Sequence, residues 1–249
     1  MRKKLKVLDL FSGIGGFSLG LERTGGFETV AFCEIDPFCQ RVLRKHWKGI
    51  PIYEDITSFE YHGPVDLVTG GFPCQDASIA NRRASGIAGE RTGLFWYIIR
   101  TVCMVGRPRV LLENVAELLN RGMGTVLGAL AAIGYDAQWH CIPASAVGAP
   151  QERDRVWIIA DPCENRKVGL VTIQDIGRFR QGWDGRQEDL QSIADNPFQP
   201  GKGWPQPLIR GVDDKPPHWA HRVGACGNAV VPQIPEMIGL AILDAEDAA

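Results

Sequence analysis

Two chemically reactive side chains each follow a short apolar run that is typical of a buried strand. Cys74 comes shortly after residues 65–69, and Glu113 closes the run at residues 110–113. The carboxyl ends of neighbouring parallel strands meet at one edge of an open α/β sheet, where such folds bind their ligands. A thiol and a carboxyl group brought together there predict covalent catalysis, with Cys74 as nucleophile and Glu113 as an acid or base. On its own, Cys74 would be interpreted as a buried structural cysteine.

A glycine-rich turn follows the first predicted strand. Residues 9–16 read Asp-Leu-Phe-Ser-Gly-Ile-Gly-Gly and lead directly into a helical pattern, which is where backbone approaches a ligand closely. Glu34 ends the second predicted strand, a position from which a carboxylate accepts hydrogen bonds from ribose hydroxyls. The acid–apolar pair Asp55-Ile56 ends the third unit. NAD and S-adenosylmethionine both suit this pattern, but the third glycine of GxGxxG is missing, which favours an adenosyl ligand without a pyrophosphate.

These groups need a scaffold, and the hydrophobic pattern predicts one. Period-two or continuous apolar runs predict strands at residues 6–10, 29–34, 65–69, 110–113, 137–142 and 155–159. Apolar residues at spacings of three and four predict helices at residues 16–23, 37–46, 93–105 and 123–133. Strands that alternate with helices are typical of βαβ units. The fold class is therefore predicted to be α/β, with a doubly wound, mostly parallel sheet.

The composition changes after residue 160, which predicts a second domain. Residues 161–223 are rich in Gly, Pro, Gln, Asp and Trp and show little periodicity, whereas residues 235–243 again have a helical apolar pattern. We expect one domain from residues 1–160 plus 224–249 and a small, loop-rich domain from residues 161–223. A chain of 249 residues with 45% hydrophobic content is long enough to bury a substantial core.

Charge and cysteine content exclude several protein classes. Twenty-seven basic and 29 acidic residues give a net charge of −2, which excludes a histone-like coat of positive charge. The seven cysteines are odd in number and contain no CxxC pair, which fits neither a disulfide framework nor a zinc site, so no metal is predicted. The apolar run at residues 5–10 is too short for a signal or membrane segment. We expect a cytoplasmic protein with no membrane partner.

Taken in order, these blocks resemble the DNA cytosine-5 methyltransferase family. The similarity spans residues 7–160 and 224–240 and rests on five blocks, namely residues 9–16, Gly-Phe-Pro-Cys-Gln at 71–75, Glu-Asn-Val at 113–115, Gln-Glu-Arg-Asp-Arg at 151–155 and Gly-Asn-Ala-Val at 227–230. The resemblance implies a Rossmann-like, class I adenosylmethionine-dependent methyltransferase fold with a small target-recognition domain. The compact form resembles phage-type solitary enzymes, and a phage or bacterial origin both remain open.

The resemblance also implies a mechanism. Cys74 attacks carbon 6 of a cytosine that has been rotated out of double-stranded DNA, while Glu113 donates a proton or hydrogen bond at ring nitrogen 3. Carbon 5 then accepts the methyl group of S-adenosylmethionine. Arg155 is placed beside the base and Glu113, and Arg153 completes the predicted catalytic set. The base that removes the carbon 5 proton is not identified, and no metal is required.

Cofactor contacts follow residue by residue from the matching blocks. The residues implied are Phe11, Gly13, Gly15, Glu34, Ile35, Asp55, Ile56, Pro73, Leu94, Asn228 and Val230. Some of the matched residues have a plainer interpretation. Asn228 precedes an apolar helix and could be a helix cap, and the two arginines could form structural ion pairs.

DNA contacts are expected from two regions. The first comprises the polar, locally basic loop after the nucleophile and the start of the block at residues 151–155. Its predicted contacts are Gln75, Ser78, Arg82, Arg83, Arg91 and Gln151. This loop could also be solvated surface. The second is the recognition domain, which is shorter than is usual for the family and offers Arg166, Lys167, Arg178, Arg180, Arg186 and Arg210. Its tryptophans Trp183, Trp204 and Trp219 are interpreted as a small core.

Two rival functions stay open on the sequence. One is a tRNA cytosine-5 methyltransferase, a branch that typically carries a CFT tripeptide, which is absent from this sequence. The other is a non-catalytic DNA-binding relative, against which the intact Cys74, Glu113, Arg153 and Arg155 argue. We expect a monomer acting on double-stranded DNA; whether a cognate restriction endonuclease accompanies it is left open.

Overall fold

Seven strands form one sheet in the order β3-β2-β1-β4-β5-β7-β6. The computed structural model describes residues 3–73, 93–149, 153–163, 225 and 227–248. The strands are β1 Leu5–Leu10, β2 Phe27–Cys33, β3 Ile52–Tyr53, β4 Leu67–Gly71, β5 Arg109–Val115, β6 Tyr135–Pro143 and β7 Asp154–Pro162. Strand β7 runs antiparallel to both of its neighbours, and every other pairing is parallel. The predicted doubly wound, mostly parallel α/β sheet is confirmed.

Helices cover both faces of this sheet. They are α1 Gly16–Arg23, α2 Pro37–His46, α3 Leu94–Met104, α4 Leu118–Arg121, α5 Met123–Ala132 and α6 Gln233–Asp247, with one 3-10 turn at Ala144–Val147. None of the helices in the described ranges combines the length and hydrophobicity that a bilayer crossing requires.

Neighbouring strand residues point into two separate cores. Val7 packs with α1 and α6 on one face, whereas Leu8 packs with α3 and α5 on the other. Leu67 and Val68 of β4 divide in the same way. Because both faces are buried, the central strands carry continuous apolar runs and do not alternate with polar residues.

The observed helices and strands differ from the predicted ones mainly where an element is very short and at the ends of elements. The two-residue strand β3 and the single-turn helix α4 were not predicted, because neither is long enough to show a periodicity. Helix α6 is longer than the predicted 235–243, and Pro235 falls in its first turn, where no backbone N–H is needed. Strand β7 runs two residues past the predicted domain boundary at residue 160. The predicted domain at 161–223 lies almost wholly outside the described residues.

A buried arginine ties the closing helix to the sheet. Arg109 on β5 donates from Nε to Asp161 Oδ1 at 2.5 Å and from Nη1 to Glu246 Oε1 at 3.2 Å. The first partner lies on β7 and the second on α6. A charge removed from water needs such partners, so this guanidinium stabilises one arrangement of the three elements.

Glycines allow α1 and α6 to pack at close range. A β-carbon on Gly20 would contact the Pro232 carbonyl oxygen and lie 2.8 Å from Pro235 Cγ, and one on Gly16 would lie 2.6 Å from the Val230 carbonyl oxygen. On the α6 side, a β-carbon on Gly239 would lie 3.0 Å from Leu21 Cδ2. The missing side chains therefore set how closely the chain before and within α6 approaches α1.

We predict that Gly20→Ala destabilises the protein although alanine favours helices. The added methyl would overlap the Pro232 carbonyl, and overpacking of this kind typically costs about 1–3 kcal/mol. Gly128→Ala in α5 is the matched control, because nothing lies within 4 Å of its β-carbon position and the residue is exposed. There the free energy of unfolding should rise by about 0.5–1 kcal/mol. Denaturant unfolding of both variants measures the difference, and equal effects would refute the close contact.

Candidate active site

Four parallel strands are in register near their carboxyl ends, which brings one residue from each into a row. Leu10 of β1 aligns with Cys33 of β2 and with Gly70 of β4. Gly70 in turn aligns with Leu112 of β5. The next residue of each strand continues this row along the sheet edge, in the spatial order Glu34, Phe11, Gly71 and Glu113. Three strand spacings separate β2 from β5, so the backbones of Glu34 and Glu113 lie roughly 14 Å apart.

The turn after β1 has the backbone of a ligand-binding loop. Phe11 has φ 52°, Gly13 55° and Gly15 87°, so three residues adopt the left-handed region within five positions. That region is uncommon for a residue such as phenylalanine and marks a strained backbone. A β-carbon on Gly13 would meet nothing within 4 Å, whereas one on Gly15 would lie 2.6 Å from the Trp47 ring. The loop is thus packed behind Gly15 and open at Gly13.

Glu34 is tied to this loop through both carboxylate oxygens. Oε2 accepts a hydrogen bond from Gly13 N at 2.6 Å, and Oε1 accepts one from Asp36 N at 2.8 Å. Burial raises the pKa of Glu34, and the two backbone N–H donors oppose that shift. Each oxygen can accept a further bond. A carboxylate held in this way can receive hydroxyl donors from a bound ligand.

Three further predicted cofactor residues lie near the same end of the sheet but in different environments. Ile35 is 73% exposed, which is unusual for a large apolar side chain, whereas Ile56 is 6% exposed and belongs to the core. Asp55 is exposed and accepts a hydrogen bond from Thr57 N at 2.8 Å, and Thr57 lowers the pKa of Asp55. The sequence analysis predicted that Asp55 and Ile56 both contact the cofactor. Of these two residues, only Asp55 has an exposed side chain.

Glu113 and the predicted arginines share one face of the sheet. Glu113 lies opposite Trp157 on β7, and Arg155 lies two residues before that tryptophan. Side chains two apart on a strand face the same way, which makes Arg155 the diagonal neighbour of Glu113. Arg155 Nε lies 2.9 Å from Glu113 Oε1. Arg153 donates from Nη1 to the Ala229 carbonyl oxygen at 2.7 Å, which joins the segment before α6 to this face.

Burial raises the pKa of Glu113, and the nearby Arg155 and Arg153 guanidinium groups oppose that rise. The second oxygen, Oε2, lies above Gly71, where an added β-carbon would be only 3.3 Å away. For Arg153, burial lowers the pKa, and its Nε has no hydrogen-bond partner among the described residues. Glu113 is therefore a buried acid with one oxygen engaged by Arg155.

Asn114 is a site residue that the sequence analysis did not single out. Its Nδ2 donates to the Phe72 carbonyl oxygen at 2.9 Å, and its Oδ1 accepts from Val115 N at 2.9 Å. Phe72 and Asn114 are both buried, and Phe72 lies two residues before Cys74. This hydrogen bond therefore links the backbone two residues before Cys74 to the residue that follows Glu113. The only feature of the sequence that pointed to Asn114 was its place in the Glu-Asn-Val block at residues 113–115.

Asp9 is the other residue that was missed, although it begins the glycine-rich block. The side chain is fully buried and accepts hydrogen bonds from Ser18 Oγ at 2.7 Å and Thr69 Oγ1 at 2.9 Å. Desolvation raises the pKa of Asp9 to about 7, against the effect of these hydroxyls. The carboxyl group links β1, β4 and α1 directly beneath the loop.

The remaining predicted residues are placed as follows. Pro73 and Asn228 are exposed, and Leu94 and Val230 are partly buried. Val230 contacts the helix start at Gly16. The predicted nucleophile and DNA contacts lie outside the described residues, namely Cys74, Gln75, Ser78, Arg82, Arg83, Arg91 and Gln151, together with the six basic residues of the recognition domain.

Known proteins resemble this chain in sequence and in fold. Type II methyltransferase M2.BsuMI of Bacillus subtilis (strain 168) is 36% identical over 237 residues, which cover 91% of this chain and 57% of that protein. Type II methyltransferase M.Sau3AI of Staphylococcus aureus is 36% identical over 178 residues, with coverages of 62% and 43%. The S. pombe Dnmt2 methyltransferase structure superposes with a TM-score of 0.58 at 23% identity, over 71% of this chain and 56% of that one. That likeness shows the fold.

The chain spans about half the length of the curated relatives it matches. The family model for C-5 cytosine-specific DNA methylases matches residues 5–201, which include the glycine loop, the strand-end row and the Glu113–Arg155 pair. The chain therefore belongs to the C-5 cytosine-specific DNA methylase family.

Proposed function

We propose that this chain is a DNA (cytosine-5-)-methyltransferase that moves a methyl group from S-adenosylmethionine to carbon 5 of a flipped cytosine. The observation that carries the proposal is the strand-end row, in which the loop and Glu34 occupy one end and Glu113 with Arg155 the other. The roughly 14 Å between the two glutamates gives room for a nucleoside cofactor and a base side by side. Cys74 follows β4, which lies between them in the sheet.

The described residues fit S-adenosylmethionine at the Glu34 end. Gly13 leaves open space beside the loop, and Glu34 presents a carboxylate that its backbone donors hold in place. The exposed Ile35 offers an apolar surface for an adenine ring, and Asp55 offers an acceptor for its amino group. When bound, S-adenosylmethionine supplies an electrophilic methyl group. Phe11, Gly15, Ile56, Pro73, Leu94, Asn228 and Val230 complete the proposed cofactor set.

Cys74 and Glu113 prepare the cytosine. The Cys74 thiolate forms a bond to carbon 6, and Glu113 gives its proton to nitrogen 3, which leaves carbon 5 electron-rich. After carbon 5 is methylated, a base removes its proton, the carbon–sulfur bond breaks, and the thiolate leaves. The nitrogen 3 proton returns to Glu113. A raised pKa suits Glu113 to this role because the group must start protonated.

Arg155 orients the acid for this step. Its Nε holds Glu113 Oε1, so Oε2 above Gly71 is the oxygen that faces the base. Arg153 is held against Ala229 and adds positive charge to the same face. Asn114 fixes the backbone ahead of Cys74 relative to Glu113. The three side chains fix Glu113 and the backbone of Phe72 in place, and oriented catalysis requires such a fixed geometry.

Double-stranded DNA is the substrate that we favour over tRNA. The relatives named above at 36% identity are type II methyltransferases, and the Dnmt2 likeness at 23% identity extends only to the fold. We place base recognition in residues 161–223 and backbone contacts in the loop after Cys74. The proposed form is a cytoplasmic monomer of bacterial or phage origin, with which a cognate restriction endonuclease could be paired.

We predict that Cys74→Ser and Glu113→Gln each abolish methylation while adenosylmethionine binding stays close to that of the wild type. Neither residue belongs to the proposed cofactor contacts, and loss of one catalytic group should leave less than about a tenth of the rate. Bisulfite sequencing of DNA from expressing cells measures methylation, and calorimetry measures binding. Glu34→Gln is the control and should weaken cofactor binding.

DNA that carries 5-fluorocytosine at the target gives a second measure of the same chemistry. Fluorine at carbon 5 cannot leave as a proton, so the wild type should remain bonded to it on a denaturing gel when the cofactor is present. The Cys74→Ser variant should give no shifted band. A serine variant that methylates as fast as the wild type would exclude the covalent route.

The pH profile should report the ionisation of Glu113. The protonated acid is the active form, so the rate should fall as pH rises through its pKa, and a raised pKa extends activity to higher pH. Arg155 opposes that rise, so Arg155→Gln should move the alkaline limb of single-turnover rates to higher pH. Arg41→Gln serves as the control, because Arg41 lies on α2 and has no part in the shift of the Glu113 pKa, so its alkaline limb should match that of the wild type. If the alkaline limb of Arg155→Gln stays at the wild-type pH or moves to lower pH, that result would contradict the role of Glu113 as the proton donor.

We predict that transplanting residues 161–223 into a relative transfers the methylated sequence. Good bidentate contacts contribute about 1–3 kcal/mol of discrimination each, so a segment of this size should specify only a few base pairs. Bisulfite sequencing of the hybrid gives the site, and its cofactor affinity should match that of the parent. If the parent's site is kept, recognition lies elsewhere, most plausibly in the loop after Cys74.

A further inference from the structure

A single arginine of α3 binds three main-chain carbonyls of the segment after β3. Arg100 donates from Nη1 to the Thr57 oxygen at 3.0 Å, and from Nη2 to the Ile56 oxygen at 3.1 Å and the Phe59 oxygen at 2.9 Å. Its guanidinium also lies 4.9 Å from the centre of the Tyr97 ring. No carboxylate of the described ranges pairs with it. The positively charged guanidinium of Arg100 therefore binds main-chain carbonyl oxygens.

The segment that Arg100 holds has little other support from the sheet. Strand β3 contributes only two residues to the ladder, Ile52 and Tyr53, and the chain then leaves the sheet. The Asp55 carboxylate bonds within its own turn, to Thr57 N. The position of Asp55 relative to the strand-end row therefore depends on how residues 56–59 are held.

Helix α3 gives Arg100 a fixed base. Phe95, Ile98 and Val102 are all buried against the sheet, so the helix cannot shift without opening the core. Leu94, its first residue, is another proposed cofactor contact. Six helical positions separate Leu94 from Arg100, which is roughly 9 Å along the axis. One rigid helix thus sets the distance between its own start and the Asp55 segment.

We propose that Arg100 is a positioning residue for recognition of the adenine ring, acting through the main chain of residues 56–59 on Asp55. The inference rests on the proposed function, since it needs a cofactor with an adenine 6-amino group. In this role Arg100 acts through its bonds to main-chain carbonyls and needs no contact of its own with the cofactor. Its planar fork reaches three carbonyls at once, which a lysine ammonium cannot reproduce in the same geometry.

The test compares S-adenosylhomocysteine with S-inosylhomocysteine, in which an oxygen replaces the 6-amino group that Asp55 would accept from. Calorimetric dissociation constants for both are measured on the wild type, Arg100→Met and Arg100→Lys. Arg41→Met is the matched control, because Arg41 also lies over an aromatic ring on a helix, 5.7 Å from the centre of Phe38. Melting temperatures establish that each variant is folded, and Arg100→Lys provides the measurement should Arg100→Met not fold.

The wild type and Arg41→Met should prefer the adenosyl ligand to the same degree. Arg100→Met should bind the adenosyl ligand about tenfold more weakly than the wild type does, a loss of about 1.4 kcal/mol. The ratio of its dissociation constants for the inosyl and adenosyl ligands should fall towards one. Arg100→Lys should lie between the two. In methylation assays the KM for adenosylmethionine should rise while kcat at saturation stays within about twofold, the pattern of lost ground-state binding.

Two outcomes would overturn the inference, and they can be told apart. A wild type that binds neither nucleoside would overturn the proposed function and the inference with it. A wild type that binds with a clear adenosyl preference, beside Arg100 variants that keep the same preference, would overturn the inference alone. Arg100 variants that bind both nucleosides more weakly by the same factor would also overturn the inference, because a general loss of structure weakens the binding of both.

Discussion

The shared register of four parallel strands is the constraint on which the site depends. Because main-chain hydrogen bonds align Leu10, Cys33, Gly70 and Leu112, the residues that follow these four positions are held in place relative to one another. Sheet spacing then fixes the separation between Glu34 and Glu113. Side-chain contacts refine this arrangement but do not create it.

The same edge holds three buried carboxyl groups, and each is stabilised by a different kind of partner. Asp9 is bound by two hydroxyls, Glu34 by two backbone N–H groups and Glu113 by a guanidinium. Burial raises the pKa of all three. Hydrogen-bond donors and a nearby guanidinium both favour the ionised carboxylate, so at each of the three groups the partners oppose the rise in pKa that burial causes. These partners fit a structural role for Asp9 and the binding and proton-transfer roles proposed for Glu34 and Glu113.

The far end of the chain is part of the site because of close packing. Glycines on α1 let the segment around Val230 and Pro232 approach, and Arg109 and Arg153 each reach across to it or to the helix that follows. Residues more than two hundred positions from the glycine loop therefore lie against it. The link is steric and local, and it explains why small residues are required where α1 and α6 meet.

Local periodicity and short blocks of fixed spacing were enough to predict the order of the longer strands and helices, the places of Glu34 and Glu113 at one edge of the sheet, and the family. Only the tertiary structure decided that Ile56 belongs to the core, that Asn114 holds the backbone before Cys74, and that Arg100 holds the segment after Asp55. The contacts of Asn114 and Arg100 join residues 41 to 44 positions apart on separate elements, and the burial of Ile56 depends on which face of a short segment meets the core, so no local sequence pattern predicts either. The two-residue strand β3 was missed for the same reason, because its pairing partner and not its own sequence makes it a strand.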